Sequence, residues 1–450
     1  MLKVASVMAA FETMPVGGAS QREFVGHYGR VFDCSIRSAA CGRGPLLATA
    51  SEDETARIWA LESGACVGVL NGHVDEVLRV AFAPSVVEEI CGAPLLATAG
   101  ADGTVRLWRG GSGCWDLRAP GAGWGPGKQA TVVHTLPAGD LGVPGEPPEQ
   151  VYGCAWATAG DAFGAWLLTA AGNAATLWDV SSGCAARSWT YEPRGSAAPN
   201  PRENGECFIF DMQPFDDPDA AAAAAGDQVP GAHLVACAVS DGTVRIHDVR
   251  APEPATVLTA LGATRLTAVA WQRKTGSGLA ATANDGVVHV WDARTWRPKL
   301  RLQGGHAEPT YGAAWQPRDA APSHEPLLSW SSDGAVAWWD TKVREDPAVR
   351  RVVAPTRAAT ALVPIRDDDN EPVPIFHCAF DPSGDTVVVC GGASDGKRGH
   401  KPTTPVPSVF VLELDPVGGD GDDEDEEEDD MDDDMDDDVP QFRRSDGRSL

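Results

Sequence analysis

The sequence lacks long hydrophobic runs and closely spaced cysteines. No apolar stretch approaches the roughly 20 residues that a membrane-spanning helix needs. The 11 cysteines are scattered, and even the nearest pair, Cys34 and Cys41, lacks the CxxC spacing of zinc sites. The opening MLKVASVMAAF is broken by Ser6 and followed by Glu12, so it is a poor secretion signal. We expect an intracellular protein without a membrane segment or a metal, whose cysteines are mostly small buried hydrophobic residues.

Signatures of catalytic sites are also missing. The sequence has no HExxH, no GxSxG and no pair of carboxylates set apart by its context. Residues 391–397 fit GxxxxGK, but Arg398 follows where a phosphate loop needs Ser or Thr, and GHKPTTP cannot start a helix. We therefore expect neither enzyme activity nor a cofactor. Lys397, Arg398, His400 and Lys401 are interpreted as a basic hairpin loop that is solvated, or that binds an acidic partner or this chain's own acidic segment.

Negative charge is concentrated near the C-terminal end. The chain has 64 Asp and Glu against 36 Lys and Arg, and residues 420–438 hold 16 acidic residues in 19 positions. Like charges at this density cannot fold against one another, so we predict that the folded part ends near Asp415 and that residues 416–450 form a disordered acidic tail. Such a tail attracts Lys- and Arg-rich proteins, or it serves solubility alone. Direct nucleic-acid binding is disfavoured by the overall negative charge.

One sequence unit recurs along the chain. It consists of two short apolar runs joined by a turn that contains Asp or Asn, often as Asp-Gly, which supplies the positive φ of a tight hairpin. The units lie at 46–61, 95–110, 167–180, 234–249, 279–294 and 327–341. The 49 Gly and 34 Pro, which fall mostly between short apolar runs, also favour many brief strands joined by turns. The repeat predicts an all-β protein built from β-hairpins.

Several units carry Gly-His before them and Trp-Asp at their end. Gly-His occurs at His27, His73 and His306. Here the sequence resembles the WD-repeat (WD40) family, whose four-stranded units stack radially as propeller blades. The resemblance covers about residues 20–415 and implies an all-β, seven-bladed WD40 β-propeller, with residues 1–19 as an N-terminal extension. The seventh blade lacks a fourth strand and QREFV at 21–25 lacks a partner, so we predict that this N-terminal strand closes the last blade.

The resemblance implies a hydrogen-bonded tetrad of His, Ser or Thr, Asp and Trp inside a blade. Three blades supply every member: His27, Thr49, Asp53 and Trp59; His73, Thr98, Asp102 and Trp108; His306, Ser329, Asp333 and Trp339. A hydrolase triad uses similar residues, but recurrence at the repeat spacing and the need of the indole for a buried acceptor favour a structural role. Blades three to five lack parts of the set, with His247 in the Trp position, so we expect them to be the least regular.

The resemblance also predicts which residues face a partner. Loops before the first strand and between the second and third strands of each blade surround a central channel. The charged and polar candidates there are Arg30, Glu52, Glu76, Gln150 and Arg265, and the aromatic candidates are Tyr28, Tyr311 and Trp330. Matching positions to Trp330 hold Ala, so Trp330 is either an exposed binding anchor or a residue that fills space against the seventh blade.

A second candidate surface follows the Trp-Asp pairs. The ending Trp291-Asp292-Ala293-Arg294 resembles the docking box of WD-repeat substrate receptors for cullin-4 ubiquitin ligases. Near matches end at Arg250 and at Lys342. Arg or Lys at this position is also common in WD repeats as a solvated side chain. Arg294 and Arg250 are therefore interpreted either as solvated charges or as candidate partner-binding residues.

Together these features predict a non-catalytic WD-repeat scaffold that mediates protein-protein interactions as a monomeric propeller within a larger complex. The acidic tail would recruit or shield a basic partner. The alternatives are a substrate receptor of a cullin-4 RING ubiquitin ligase, which docks on a ligase adaptor through Trp-Asp-x-Arg boxes, and an escort of histones or ribosomal proteins. We expect no metal, cofactor, membrane or direct nucleic-acid contact, and a location in the nucleus or cytoplasm with the nucleus favoured.

Overall fold

A computed structural model describes most of the repeated region. The described residues are 24–38, 44–110, 130–139, 148–157, 165–191, 207–215, 233–262, 265–272, 278–317, 326–339, 341, 356–357, 361–364, 372–392 and 409–413. The chain divides into two units, Met1–Asp415 and Pro416–Leu450, and every described residue belongs to the first. The predicted N-terminal extension and acidic tail therefore lie outside the described residues, and both stay predictions.

The described residues form short strands in antiparallel sheets, which follow one another along the chain. The first sheet contains β1 (Val31–Arg37), β2 (Leu46–Ser51), β3 (Thr55–Ala60) and β4 (Cys66–Asn71). The second contains β5 (Val77–Phe82), β6 (Leu95–Gly100), β7 (Thr104–Arg109) and β8 (Thr131–Pro137), with the helix α1 (Ser85–Cys91) after β5. The third contains β9 (Val151–Ala157), β10 (Trp166–Ala171), β11 (Ala174–Asp179) and β12 (Cys184–Thr190).

The later sheets repeat this order with more irregular outer strands. The fourth contains β13 (Ile209–Pro214), β14 (Leu234–Val239), β15 (Thr243–Asp248) and β16 (Pro254–Thr259). The fifth contains β17 (Leu266–Trp271), β18 (Gly278–Ala283), β19 (Val288–Asp292) and β20 (Arg297–Leu302), with β24 (Thr356–Arg357) added in parallel to β20. The sixth contains β21 (Thr310–Trp315), β22 (Leu327–Ser331), β23 (Ala335–Trp339) and β25 (Ala361–Pro364). The seventh contains β26 (Ile375–Phe380), β27 (Thr386–Gly391) and β28 (Val409–Glu413).

These sheets form an all-β propeller in which the first strands surround a common axis. The first strand of each sheet contacts the first strands of both neighbouring sheets, and β1 contacts β26 as well as β5. A separate apolar cluster fills each of the interfaces between neighbouring sheets, including the one between the seventh and the first. The core is therefore divided into wedges between sheets, and the first strands line the channel at the centre.

The prediction of seven complete blades is wrong. Six sheets have four or more strands, and the remaining sheet, β26 to β28, has three within the described part of the chain. The predicted closing strand at 21–25 lies mostly outside the described residues, and Phe24 and Val25, which are described, are not in a strand. Phe24 is nevertheless buried among Trp59, Val388 and Val409, at the interface between the first and seventh sheets. Closure of the last sheet by residues 21–23 stays a prediction.

The turns between second and third strands explain why the repeat folds as hairpins. Gly103, Gly242, Gly286 and Gly334 follow Asp in these turns, and each has φ between 74° and 78°, which costs glycine no side-chain clash. In the first sheet Glu54 takes the same position with φ of 68°. Hydrogen bonds from the backbone and hydroxyl of Thr55 to Asp53 hold that turn. The first sheet therefore forms the turn without the glycine that makes it easy elsewhere.

Candidate functional site

A chain of buried hydrogen bonds crosses the first sheet. The Trp59 indole Nε1 donates to Thr49 Oγ1 at 2.9 Å, and the Thr49 hydroxyl lies 2.7 Å from His27 Nε2. His27 Nδ1 lies 2.8 Å from Asp53 Oδ2. Because the threonine hydroxyl has one proton to give and already accepts from the indole, it donates to Nε2, and the ring carries its proton on Nδ1. Burial lowers the pKa of His27, which favours this neutral ring beside an ionised Asp53.

The same arrangement recurs in the second sheet and, less tightly, in the sixth. Trp108 donates to Thr98 at 2.9 Å, the Thr98 hydroxyl lies 2.8 Å from His73, and His73 lies 2.9 Å from Asp102. In the sixth sheet Trp339 donates to Ser329 at 2.8 Å, and His306 Nε2 lies 2.8 Å from the same hydroxyl. His306 Nδ1 is 3.4 Å from Asp333 and lacks a hydrogen bond among the described residues. The structure thus brings together the members of all three tetrads.

These tetrads are unsuited to nucleophilic catalysis. Thr49, Thr98 and Ser329 are completely buried, so a substrate carbonyl cannot reach their hydroxyl groups. Each hydroxyl also accepts the indole proton while it donates to histidine, whereas a triad nucleophile must be free to attack. Each tetrad instead links the loop before the first strand to the hairpin of the second and third strands. We call this hydrogen-bonded arrangement a latch.

The fourth sheet uses a different set of side chains. His247 occupies the Trp position, and its Nε2 lies 2.5 Å from the hydroxyl of Tyr191, which follows β12 of the third sheet. The two rings stack with centroids 5.3 Å apart, and the Arg245 guanidinium lies 4.5 Å from the centre of the Tyr191 ring. Burial and the charge of Arg245 lower the pKa of His247 to about 4. Sequence reasoning missed Tyr191, since this partner comes from the preceding sheet and has no counterpart in the repeat.

The third and fifth sheets are intermediate. In the third, Trp178 donates to Thr169 at 2.9 Å, so the indole and the hydroxyl are present. In the fifth, the hydroxyl of Thr282 lies 2.8 Å from that of Thr267, and His289 stacks on Trp291 with ring centroids 5.9 Å apart. Each of these two sheets has a buried threonine hydroxyl, but the hydrogen-bond partners of the two hydroxyl groups differ.

Arg30 and Glu52 lie beside each other on the face of the loops before the first strands. The Arg30 guanidinium donates two hydrogen bonds to the Glu52 carboxylate, at 3.0 and 2.9 Å, and the Arg30 amide donates a third at 3.1 Å. Glu76 belongs to the same neighbourhood, because burial and the charge of Glu52 raise its pKa while Arg30 opposes the rise. The charge of Arg30 thus acts on both carboxylates, while its hydrogen bonds go to Glu52.

Other predicted face residues lie around the channel on different sheets. Gln150 Oε1 accepts a hydrogen bond from the Tyr152 hydroxyl at 2.7 Å. Arg265 lies over the Phe210 ring, 5.4 Å from its centre. Tyr28 is exposed, whereas Tyr311 is half-buried against Phe376.

Trp330 is not a surface anchor, and its inclusion among the binding candidates was wrong. It is only 3% exposed, its Nε1 donates to the Phe376 carbonyl at 3.0 Å, and it contacts His377 edge-on. Gly312 stands opposite it in the ladder, where a Cβ would overlap the indole ring. Trp330 therefore fills the interface between the sixth and seventh sheets, and Gly312 leaves room for it.

Comparison with known proteins agrees with the propeller fold. The family model "WD domain, G-beta repeat" matches residues 18–60 and 64–109, which cover β1 to β7. These two segments are therefore similar to WD repeats. Human WD repeat-containing protein 37 is 36% identical over 64 residues, which is 14% of this chain and 12% of that protein. WD repeat-containing protein pop1 of Schizosaccharomyces pombe is 45% identical over 51 residues, which is 11% of this chain and 6% of that protein. The matches thus span only a small part of these relatives' length.

An exposed arginine follows the third strand of both the fourth and the fifth sheet. Its side chain is 58% accessible at Arg250 and 76% accessible at Arg294. Arg250 folds back onto Asp248 through two hydrogen bonds of 2.9 and 2.8 Å. Arg294 Nη2 stays 3.7 Å from Asp292, whose carboxylate instead accepts the amides of Arg294 and Thr295. Arg294 is therefore the more available of the two.

Some predicted features fall outside the described residues. They include Lys397, Arg398, His400 and Lys401, most of the GxxxxGK segment, and Asp340 and Lys342 of the third Trp-Asp sequence. Where residues are described, there is no group of three or more His, Cys, Asp or Glu arranged to hold a metal ion. The helix that the structure describes is too short to cross a bilayer.

Proposed function

We propose that this WD-repeat protein is a non-catalytic scaffold that holds partner proteins together in a multiprotein complex. WD40 propellers are generally protein-interaction scaffolds without catalytic activity, and this chain has the WD40 propeller fold. The buried state of the tetrads supports the same conclusion, since the His-Asp-hydroxyl sets are committed to latching the blades. Its partners bind the exposed loops and faces around this latched framework.

We further propose that residues 420–438 recruit or shield a basic partner. The observation that carries this proposal is the density of charge, with 16 acidic residues in 19 positions. A partner rich in Lys and Arg gains attraction from many such charges at once, and the gain falls as salt screens them. An escort protein for histones or ribosomal proteins would bind its Lys- and Arg-rich partner by this charge attraction. We propose an intracellular location, with the nucleus favoured over the cytoplasm.

The test is affinity purification followed by mass spectrometry. The full chain is compared with a chain truncated after Asp415, and each is washed at low and at high salt. Basic proteins that are lost with the tail or with salt support the proposed role of the acidic segment. A fixed set of salt-resistant subunits on both chains supports a scaffold that acts through the propeller alone. Recovery of no specific protein with either chain contradicts both proposals.

A second candidate function is that of a substrate receptor on a cullin-4 ubiquitin ligase. The observation that favours it is the exposure of Arg250 and Arg294 at the same position of two neighbouring sheets. Replacement of both by Ala in one chain should abolish binding of the purified cullin-4 adaptor while the protein stays folded. Arg297→Ala is the matched control, because Arg297 is an exposed arginine in the adjacent strand β20. Equal adaptor binding by the double variant would exclude this function.

A further inference from the structure

Two thiols meet at the interface between the seventh and first sheets. Cys34 of β1 and Cys390 of β27 are free, buried cysteines of the apolar cluster that fills this interface. Cys34 Sγ lies 4.0 Å from the carbonyl oxygen of Val388, which is two residues before Cys390 and on the same side of β27. The thiols of Cys34 and Cys390 interact directly. Residues from opposite ends of the repeated region therefore come together as a thiol pair.

His377 lies beside this pair. It stands opposite Cys390 in the ladder of β26 and β27, so both side chains are on the face of the seventh sheet that packs against β1. His377 Nδ1 is 3.6 Å from Cys34 Sγ and 3.2 Å from Asp33 Oδ1. The His377 side chain is 25% exposed, whereas Cys34 is only 3% exposed. The imidazole therefore connects the buried thiols with the solvent.

The charge of the imidazole favours reaction at Cys34. Burial lowers the pKa of His377, but the negative charge of Asp33 and the contact with Cys34 outweigh burial, so that this pKa is raised overall. His377 therefore holds a proton more readily than an ordinary histidine. A positive imidazolium next to a cysteine stabilises the thiolate, which is the nucleophilic form. His377 can thus take the proton of Cys34 and remain beside the thiolate as its counter-ion.

Burial of the thiols limits the speed of such a reaction. It raises the pKa of Cys390 and raises that of Cys34 well above the ordinary value. Thiols that stay protonated and enclosed react slowly with oxidants. Their reaction therefore depends on brief local opening of the interface, and the seventh sheet has three strands within the described residues. The pair is suited to a covalent bond that accumulates slowly.

We propose that Cys34 and Cys390 form a reversible disulfide, assisted by His377, that closes the propeller covalently between its first and seventh sheets when the protein is exposed to hydrogen peroxide. A disulfide between residues so far apart in the chain restricts the unfolded state and so stabilises the fold. The bond would keep the ring closed under oxidising conditions. The inference goes beyond the proposed scaffold and requires no partner, so its failure would leave the scaffold untouched.

The reaction balances with one peroxide for each disulfide. His377 takes the thiol proton of Cys34, and the thiolate attacks an oxygen of hydrogen peroxide, so that an S–O bond forms and the O–O bond breaks. The leaving hydroxide receives the proton from His377 and becomes water. Cys390 then attacks the sulfenic acid, so that the S–S bond forms and the S–O bond breaks, and the second hydroxide leaves as water with the Cys390 proton. Two thiols are oxidised by two electrons, and one peroxide is reduced to two waters.

The first test is mass spectrometry of the full chain, purified with reduced thiols and then exposed to hydrogen peroxide. Remaining thiols are alkylated, and the chain is digested without a reductant. The expected product is a peptide with Cys34 linked to a peptide with Cys390, which dithiothreitol separates by thiol-disulfide exchange. A chain kept from peroxide is the control and should lack the link. Recovery of the two cysteines as alkylated thiols, as sulfinic or sulfonic acids, or linked to other cysteines would overturn the proposal.

Thermal unfolding tests whether the bond closes the ring. The melting temperature of the oxidised chain is expected to exceed that of the reduced chain by about 5 °C or more. Cys390→Ala should abolish this rise. Cys237→Ala is the matched control, because Cys237 is equally buried but lies in the fourth sheet, and it should keep both the link and the rise. Circular dichroism checks that the variants are folded. An unchanged melting temperature in the linked chain, or a full rise in folded Cys390→Ala, would overturn covalent closure.

The rate of disulfide formation tests the part of His377. His377→Gln keeps a polar side chain of similar length but cannot take the thiol proton, so it is expected to slow formation of the link about tenfold at neutral pH. His134→Gln, at a half-buried histidine of β8 in the second sheet, is the matched control and should react as fast as the unaltered chain. Equal rates for His377→Gln and the control would overturn the assignment of His377.

Discussion

The first and fourth sheets hold a similar hairpin with different side chains. In the first, Trp59, Thr49, His27 and Asp53 form one continuous chain of hydrogen bonds, all within a single repeat. In the fourth, Cys237 and His247 occupy the Thr and Trp positions, and Tyr191 of the third sheet supplies the hydrogen bond. The backbone of a blade therefore keeps its hairpin without the tetrad when a residue next to a neighbouring sheet supplies a hydrogen-bond partner instead.

Removal of the indole from the first sheet should have the largest effect. Trp59 is completely buried between the first and seventh sheets. Trp59→Ala creates a cavity and leaves the Thr49 hydroxyl without its donor, so we expect a loss of about 3–5 kcal/mol in the free energy of unfolding. Chemical denaturation measures it. The exposed Val74→Ala is the control and should change stability by less than about 0.5 kcal/mol. An equally small loss in the free energy of unfolding for Trp59→Ala would contradict the stabilising role of the latch.

Substitution at the position of Thr49 in the first sheet and of Cys237 in the fourth allows a direct comparison of how much each side chain stabilises its sheet. Thr49→Val keeps the shape of the side chain but strands His27 Nε2 and Trp59 Nε1 in the core, which should cost about 2–4 kcal/mol. Cys237→Val at the matching position of the fourth sheet removes only a weak thiol partner and should cost about 1 kcal/mol or less. Urea denaturation of the two variants measures the difference. Equal losses would mean that the hydrogen-bond chain does not distinguish the sheets.

The fourth sheet should make stability dependent on pH. The pKa of His247 is about 4 in the folded protein, against an ordinary value of 6.5. Between these values the unfolded chain binds a proton that the folded chain does not, so the free energy of unfolding falls as the pH falls from about 6.5 towards 4. In His247→Gln this fall should be shallower, since the side chain no longer titrates. Urea midpoints at pH 7, 6 and 5 provide the measurement, and identical slopes would contradict burial of a neutral His247.

The exposed arginines should have the smallest effect on stability. Arg250 is paired with Asp248 at the surface, so Arg250→Ala should cost no more than about 0.5 kcal/mol. Arg294 has a longer contact and greater exposure, so Arg294→Ala should leave the melting temperature unchanged within error. Differential scanning calorimetry tests both. A large loss for Arg294→Ala would show that this arginine supports the fold instead of remaining available to a partner.

Local features were predictable because they depend on residues close in sequence. Asp-Gly turns specify hairpins, and the spacing from His27 to Trp59 falls within one repeat unit. Features that depend on another sheet were not predictable. Tyr191 comes from 56 residues before His247, and nothing in the repeat marks it. The seventh sheet, which has three strands within the described residues, also shows that a repeat count does not give the number of four-stranded blades.

Some signals were present in the sequence but could not be interpreted without the structure. Gly312, across the ladder from Trp330, is the residue that makes room for a buried indole. Aromatic residues recur near the start of the first strands. The structure shows a β-bulge at the start of these strands, and there the rings of Phe32, Tyr311 and Phe376 contact one another. Backbone irregularity of this kind depends on tertiary packing, so sequence reasoning found Tyr311 alone.

Hydrogen-deuterium exchange on the full chain, alone and with the partner recovered by affinity purification, tests the scaffold most directly. The account predicts slower exchange around the channel mouth, in segments 28–32, 74–78 and 309–312, and no change in the turns at 248–251 and 292–295. Protection of those turns alone would favour docking through Arg250 and Arg294 over docking at the channel mouth. Absence of protection anywhere in the propeller would contradict the proposal that this protein binds its partner through the propeller.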